Sequence, residues 1–363
     1  MRARFGRATA VGVLALTLLA VPSTAGAADR DPYLDLTPAG GESRAVQVSP
    51  DGVVLGNSAP KPDGVFTGSA WTTGGTARSL GPLGPHAEAV NNSGDAVGCS
   101  ANGTGLYWHD GTVTYLTRPG RTVCLYAIND AGQIAGASAT PNGSEQAFVW
   151  EDGRFTDLGA PTDRASAPIA INNRGQVLGR LFGTTKSVPM RAFLWEHGKL
   201  TDLGSLGGPQ TIPAALGPDG SVVGTSAVGS TAAHPFRWAG GRMTDLLAGT
   251  GATDPQAVAT GLNAAGDVVG TVSDRPVLWR GGKLTYLADA GEATAVNAAG
   301  VVTGVVRGPG DAPTVFRWKD GELVKLPNPP GATYCYAVGI TAGSTVVGNV
   351  AIGEVNHAVV WPG

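Results

Sequence analysis

The chain has 363 residues with 25 basic and 28 acidic side chains, a formal charge of −3, and only 15 % charged residues. Its 56 Gly and 25 Pro exclude a fold of long helices, because each interior Gly costs a helix roughly 1 kcal/mol relative to Ala. A hydrophobic content of 42 % with eight Trp excludes a disordered chain, which lacks the apolar area to offset its entropy. What remains is a fold of many short strands.

At the N-terminus, Arg2, Arg4 and Arg7 precede an apolar run over residues 8–21, and Ala25-Gly26-Ala27 fits a small-x-small cleavage site. A run of about 14 residues is too short to anchor in a bilayer. No Cys follows Ala27 closely enough to take a lipid, and no second apolar stretch approaches span length. We therefore expect residues 1–27 to be a signal peptide and residues 28–363 a single secreted, extracellular domain. Its removal leaves 22 bases against 28 acids. That balance provides no concentrated basic face, so neither nucleic acid nor a membrane surface is expected as partner.

Two markers then recur in step. Trp stands at 71, 108, 150, 195, 238, 279, 318 and 361, and Gly-x-x-x-Gly ends at Gly56, Gly98, Gly136, Gly179, Gly224, Gly270 and Gly304, with a Ser-Thr-Val-Val-Gly variant at Gly348. Residues 125–159 show one unit in full. Leu125-Tyr126-Ala127-Ile128 has strand composition, Asn129-Asp130-Ala131-Gly132 is a turn, and Gln133-Ile134-Ala135-Gly136 resumes the strand. After a loop, Ala147-Phe148-Val149-Trp150 is a third strand, and Glu151-Asp152-Gly153 turns the chain into a fourth, Arg154-Phe155-Thr156-Asp157-Leu158. Four antiparallel strands in about 42 residues is the size of a propeller blade.

The phase of the two ends points to a closed ring. The last unit stops after its third strand, at His357-Ala358-Val359-Val360-Trp361, while Asp31-Pro32-Tyr33-Leu34-Asp35-Leu36 resembles a fourth strand. The fourth-strand Leu recurs at 80, 116, 158, 203, 246, 287 and 326, and Leu36 supplies the eighth. The expected fold is therefore all-β, a closed eight-bladed β-propeller of four-stranded blades. Its closing strand, residues 31–37, joins the last blade and covers two edges that otherwise template aggregation.

The recurring Ala-x-Ala-Ile-Asn-x-x-Gly-x-Val-x-Gly and Ala-Phe-x-Trp pattern resembles the extracellular HAF repeats, named for a His-Ala-Phe tripeptide before the Trp. That slot reads Gln146-Ala147-Phe148, Arg191-Ala192-Phe193, His234-Pro235-Phe236 and His357-Ala358-Val359. The resemblance covers essentially the whole mature chain. It implies a secreted propeller-like protein and carries no catalytic signature.

Motifs of chemistry are absent: there is no His-Glu-x-x-His, Cys-x-x-Cys, Gly-x-Gly-x-x-Gly, Gly-x-Ser-x-Gly or EF-hand loop. Ser58-Ala59-Pro60-Lys61 has Ser-x-x-Lys spacing in a Pro-rich loop, without the partner motifs. His109 and His197 fall in turns and read as solvated. His234 and His357 share a repeat position and read as strand caps. The scattered His and the Cys spacing predict no metal and no cofactor. Trp in every unit reads as blade packing, and Asn129, Asn172, Asn263 and Asn297 as turn formers.

Function is therefore sought where the repeat is broken. Counting back from the Asn slot, the positions three and five back on the first strand vary, and in a propeller this strand lines the central channel. Arg44, His86, Glu88, Tyr126, Glu292 and Tyr336 are the candidate binding residues at the channel mouth; a water-filled channel with unselected polar lining is the competing account. No catalytic residue is assigned. The expected function is a secreted, non-catalytic binding or scaffold protein, a monomer, presenting an unknown extracellular glycan or protein ligand at the loop-rich mouth. The alternative is an extracellular hydrolase or lyase acting on polysaccharide through mouth carboxylates. It needs two carboxyl groups roughly 5–10 Å apart, and Glu88 and Glu292 lie in units two and seven. Of the three Cys, Cys99 and Cys124 fall at the same end of adjacent units and are the candidate disulfide, leaving Cys335 a buried free thiol.

Overall fold

The computed structural model describes residues 32–81, 87–139, 143–183, 188–230, 232–310 and 312–363. The expected signal peptide, Asp31 of the closing segment and His86 lie outside the described residues. Among the described residues there is no α-helix; the strands form eight four-stranded antiparallel sheets. The first strands of blades 1 to 8 are Glu42–Val48, Ala87–Val90, Thr122–Ile128, Arg164–Ile171, Thr211–Leu216, Val258–Leu262, Gly291–Val296 and Ala332–Ile340. Each touches the first strand of the next blade, and the eighth touches the first. The protein is an eight-bladed β-propeller.

Every first strand is broken at the same repeat position, and that of blade 8 at a second place as well, between Ala332 and Tyr334. In blade 3, Leu125 pairs with Gly136 and Ala127 with Ala135, so Tyr126 is an extra, bulged residue. The same shift leaves out Val46, Glu88, Ile169, Ala214, Thr260, Thr294 and Val338 in the other blades. A bulge turns the extra side chain out of the ladder and sharpens the strand's twist. It also accounts for the repeating glycine. The residue before each bulge pairs with the last Gly of Gly-x-x-x-Gly or its variant, and a Cβ on Gly270 or Gly304 would collide with the carbonyl oxygen of Val258 or Glu292. Pro168 and Pro213 stand beside the bulge of their strands, a place where a strand accepts a residue without an N–H.

The repeat Asn does more than form a turn. Its Oδ1 accepts local backbone N–H groups, as in Gln133 N to Asn129 at 2.9 Å, while its Nδ2 donates to the matching carbonyl of the next blade. Asn91 reaches Asn129, Asn129 reaches Asn172, Asn172 reaches Gly217, Asn263 reaches Asn297 and Asn297 reaches Thr341, at 3.0–3.2 Å. Ser49, Gly217 and Thr341 interrupt this ladder. Asn349 substitutes at the junction of blades 8 and 1, bonding both backbone groups of Ala45. Gln47 substitutes between blades 1 and 2 by accepting from Val90 N. In blades 2 to 7 the third- to fourth-strand turn places two successive residues at positive φ, as at Asp152-Gly153 and His197-Gly198, the mirror-image turn that suits strand twist.

The core lies between blades. Leu116, Val97 and Ala89 of blade 2 pack on Val123, Leu125 and Phe148 of blade 3, and Phe236 and Trp238 of blade 5 pack on Leu178 and Leu194 of blade 4. Six of the Trp are buried, while Trp150 and Trp195 are half-buried. In blade 5 the buried leucine is Leu247, and Leu246 of the repeat slot is only half-buried. Closure is made by Leu34 opposite Val360 and Asp35 opposite Val359. This strand, Leu34–Asp35, is shorter than the expected 31–37. Leu36 extends it with an N–H bond to Ala358 O at 2.9 Å and is buried.

Candidate functional site

Two connections link the strands at each end of a blade. Both hairpin turns (first to second, third to fourth) lie on one face; the second-to-third and fourth-to-first connections lie on the other and form the mouth. Each bulge carries one residue of the first strand off the ladder, and none of the eight bulged residues is buried. The lining is chemically mixed: Val46 and Ala214 are apolar, Thr260 and Thr294 carry hydroxyls, Glu88 a charge and Tyr126 a ring.

Five of the six sequence-selected residues lie among the described residues, on an arc of consecutive blades: Glu292 in blade 7, Tyr336 in 8, Arg44 in 1, Glu88 in 2 and Tyr126 in 3. Glu292 and Tyr336 share an open hollow of ≈ 360 Å³ with Thr260, Thr294 and Tyr334. Tyr334 and Tyr336 have ring centroids 6.0 Å apart and tilted by 51°, and Tyr334 is 51 % exposed. The Glu292 carboxylate lies 3.6 Å from Arg307, which also bonds Asp274 at 3.1 Å. Thr260 Oγ1 donates to Ala293 O at 2.8 Å, which ties blade 6 to blade 7 beneath the hollow.

Glu88 and Tyr126 form a second group. Burial pushes the Tyr126 phenol above its ordinary value, and the charges of Glu145 and Glu88 push it the same way against the opposing pull of Arg180. Arg44 is exposed between the two groups in ring order. The structure therefore joins the candidates in two pairs, with Arg44 on the blade between them.

Tyr334, Thr260, Thr294, Glu145 and Arg180 were not singled out from the sequence. The signal for Tyr334 is the alternation Tyr334-Cys335-Tyr336, which puts both rings on one face of a strand with buried Cys335 on the other. The threonines are bulged residues, and nothing in their identity marks the bulge.

Three of the described His side chains, His109, His234 and His357, bond Asp residues of the frame. His234 Nδ1 contacts Asp245 and His357 Nδ1 contacts Asp35, both at 2.8 Å, so the shared slot links a third strand to the Asp of its fourth strand. His109 is exposed as expected of a turn residue, yet it bonds the buried Asp95 at 2.7 Å. That hydrogen bond and the Asp95 charge raise its pKa. Cys99 and Cys124 are joined by a disulfide between blades 2 and 3, with Cα atoms 4.8 Å apart. Cys335 is free and buried, its thiol pushed by burial up to about 11. Among the described residues no group of three His, Cys, Asp or Glu is placed to hold a metal ion.

The chain matches no family model and no curated protein. Among solved structures it is similar to the β-propeller domain of the Trilobed protease from Pyrococcus furiosus, at 11 % identity and a TM-score of 0.51 over 79 % of this chain and 98 % of that one. That domain has an open velcro topology, whereas here the N-terminal strand pairs into the last blade. It is also similar to a puromycin-hydrolyzing peptidase of Mycobacterium tuberculosis, with 14 % identity, a TM-score of 0.52 and 86 % of this chain covered. A prolyl endopeptidase gives 9 % identity, a TM-score of 0.52 and 85 % coverage. This chain spans 57 % and 54 % of the length of those two peptidases. At such identities the likeness is one of fold, and the fold shared is the β-propeller.

Proposed function

We propose that the protein is a secreted, non-catalytic binding or scaffold protein that holds an extracellular glycan or protein at the mouth of its channel. The observation that carries this reading is the eightfold bulge. A frame in which Gly and Trp recur in every blade presents one non-repeating residue per blade, and two of the sequence-selected residues, Glu292 and Tyr336, share a hollow with the exposed Tyr334. Variable side chains on a rigid frame are how binding surfaces are commonly built, and Tyr offers large contact area at little entropic cost. The leader-like N-terminus and the Cys99–Cys124 bond support an oxidising, extracellular setting.

The hydrolase or lyase alternative draws on the occurrence of this fold in peptidases. Those chains are longer, and Glu88 and Glu292 sit in blades 2 and 7 with two blades between them. Glycan and protein arrays probed with the mature protein test the reading. Selective binding without turnover, weakened by Tyr336→Ala and Arg44→Ala, supports it; release of cleaved product overturns it.

A further inference from the structure

The hollow lined by blades 6, 7 and 8 is graded in depth. Counting back from the Asn slot (Asn263, Asn297 and Thr341), Tyr334 stands seven residues back, Glu292 and Tyr336 five, and Thr260 and Thr294 three. A first strand runs inward from the mouth, so Tyr334 sits at the lip, 51 % exposed. The carboxylate and the second phenol lie below it, and the two threonines lie deepest. The tyrosine rings are tilted by 51° to each other, so they form two walls of the hollow rather than one flat plane. Its ≈ 360 Å³ falls within the ~300–1,000 Å³ of ordinary ligand pockets.

The polar groups here are open to a guest. The Thr294 hydroxyl and the phenol oxygens of Tyr334 and Tyr336 bond no group among the described residues. Thr260 Oγ1 already donates to Ala293 O at 2.8 Å and keeps its capacity to accept. Glu292 lies 3.6 Å from Arg307, outside hydrogen-bond reach, and Arg307 itself bonds Asp274 at 3.1 Å. The carboxylate lone pairs are therefore unused. Charge selects the guest: Glu292 repels an anion, and the guanidinium beside it repels a cation. Hydroxyls, one open acceptor and an exposed ring suit an uncharged polyol with an apolar face.

We propose that the hollow takes one uncharged pyranose, the terminal unit of an extracellular glycan. This rests on the mouth being the binding face and names what that face holds. The C–H face of the sugar packs on Tyr334, whose π face is negative. Adjacent sugar hydroxyls donate to Glu292, and others bond Tyr336 and Thr294. The open lip leaves an outlet for the rest of the glycan.

Mature protein with isotope-labelled tyrosine rings tests this by NMR, the Tyr334 and Tyr336 signals being identified by their loss in the Phe variants. Methyl glycosides of glucose, galactose, mannose and N-acetylglucosamine are titrated to millimolar concentration, alongside methyl glucuronoside and methylammonium. At least one neutral glycoside should move both signals saturably, and the two charged probes should move neither. Followed at Tyr336, that glycoside should bind at least tenfold more weakly to Tyr334→Ala. Binding to Tyr334→Phe, which keeps the stacking face, should stay within threefold. Glu292→Gln should weaken it at least fivefold, and Tyr115→Ala, an exposed tyrosine of blade 2, should leave it within twofold. Unchanged melting temperatures report intact folds. No response to any neutral glycoside, an equal response to either charged probe, or unchanged binding in Tyr334→Ala overturns the proposal. A protein ligand found on the arrays and weakened by Tyr336→Ala would keep the mouth as the binding face while this proposal fails; an array without any ligand would remove the wider reading.

Discussion

Replacing Leu36 by Ala isolates what ring closure contributes. Leu36 is 6 % exposed and packs with Ala45, Val54 and Trp71 of blade 1 and Val347, Ala358 and Val360 of blade 8. It thus fills space in the seam where the two chain ends meet. A buried Leu→Ala change costs about 2–5 kcal/mol, the range reflecting how far the site collapses. At roughly 2–4 °C per kcal/mol for a domain of a few hundred residues, Tm should fall by about 4–20 °C. Leu34, two residues earlier on the same strand, is 36 % exposed, and Leu34→Ala should cost less than about 1 kcal/mol. Deleting residues 28–37 removes Leu36, its bond to Ala358 O, the two-residue pairing and the His357–Asp35 contact. It should destabilise more than Leu36→Ala and leave the Val355–Trp361 edge open to self-association. Melting by circular dichroism, amide exchange at Val359 and Val360, and light scattering measure these effects. If Leu36→Ala and the deletion both melt with the parent protein, the closing strand does not hold the ring.

Gly270→Ala should destabilise by about 1–3 kcal/mol, because its Cβ meets the Val258 carbonyl; urea unfolding reads this, and an unchanged midpoint refutes the link between bulge and glycine. Burial alone would raise the Asp267 pKa, but bonds from Arg280 at 2.9 and 3.0 Å and from Asn263 outweigh it and hold the carboxyl below its ordinary 3.8. A depressed folded-state pKa contributes stability present above the unfolded value and lost as pH falls through the folded one. Asp267→Asn should therefore lower Tm at neutral pH and flatten its decline below about pH 4; an unchanged acid limb contradicts this. Replacing Cys99 and Cys124 together by Ser opens a loop spanning 25 residues and should cost about 3 kcal/mol. Thiol titration of denatured, unreduced protein should find one free thiol, and three would refute the bridge. In the native state Cys335, buried with its pKa near 11, should react with a thiol reagent only at the rate of unfolding.

The architecture was legible because its determinants are local and repeated. Trp and Gly in step mark the period, the turn residues mark the hairpins, and the missing fourth strand of the last unit marks the closure. Even the partner of Leu34–Asp35 followed from counting strands, since a propeller has one place for an unpaired strand. Strand ends were less legible: the unit at residues 125–159 begins its first strand at Thr122, where local composition changes little.

Other features exist only once blades are side by side. Asn129 looks like a turn former because its Oδ1 bonds the local turn, but its Nδ2 reaches Asn172 O, 43 residues away, and no local pattern records that. The bulge at Tyr126 is a matter of register between two strands, so it cannot be read from one. The sequence selected residues that vary at the mouth; packing sorted them, bringing Glu292 to Tyr336 and adding Tyr334, Thr260 and Thr294. Arg237 Nε and Trp279 Nε1 are the plainest case: each belongs to an ordinary blade residue, and only the packing at the junction of blades 5 and 6 leaves it buried without a partner. Periodicity along the chain determines which strands pair, through backbone hydrogen bonds that any copy of the repeat can make. The contacts between blades decide where the repeat fails to satisfy itself, because they depend on the particular side chains that meet there.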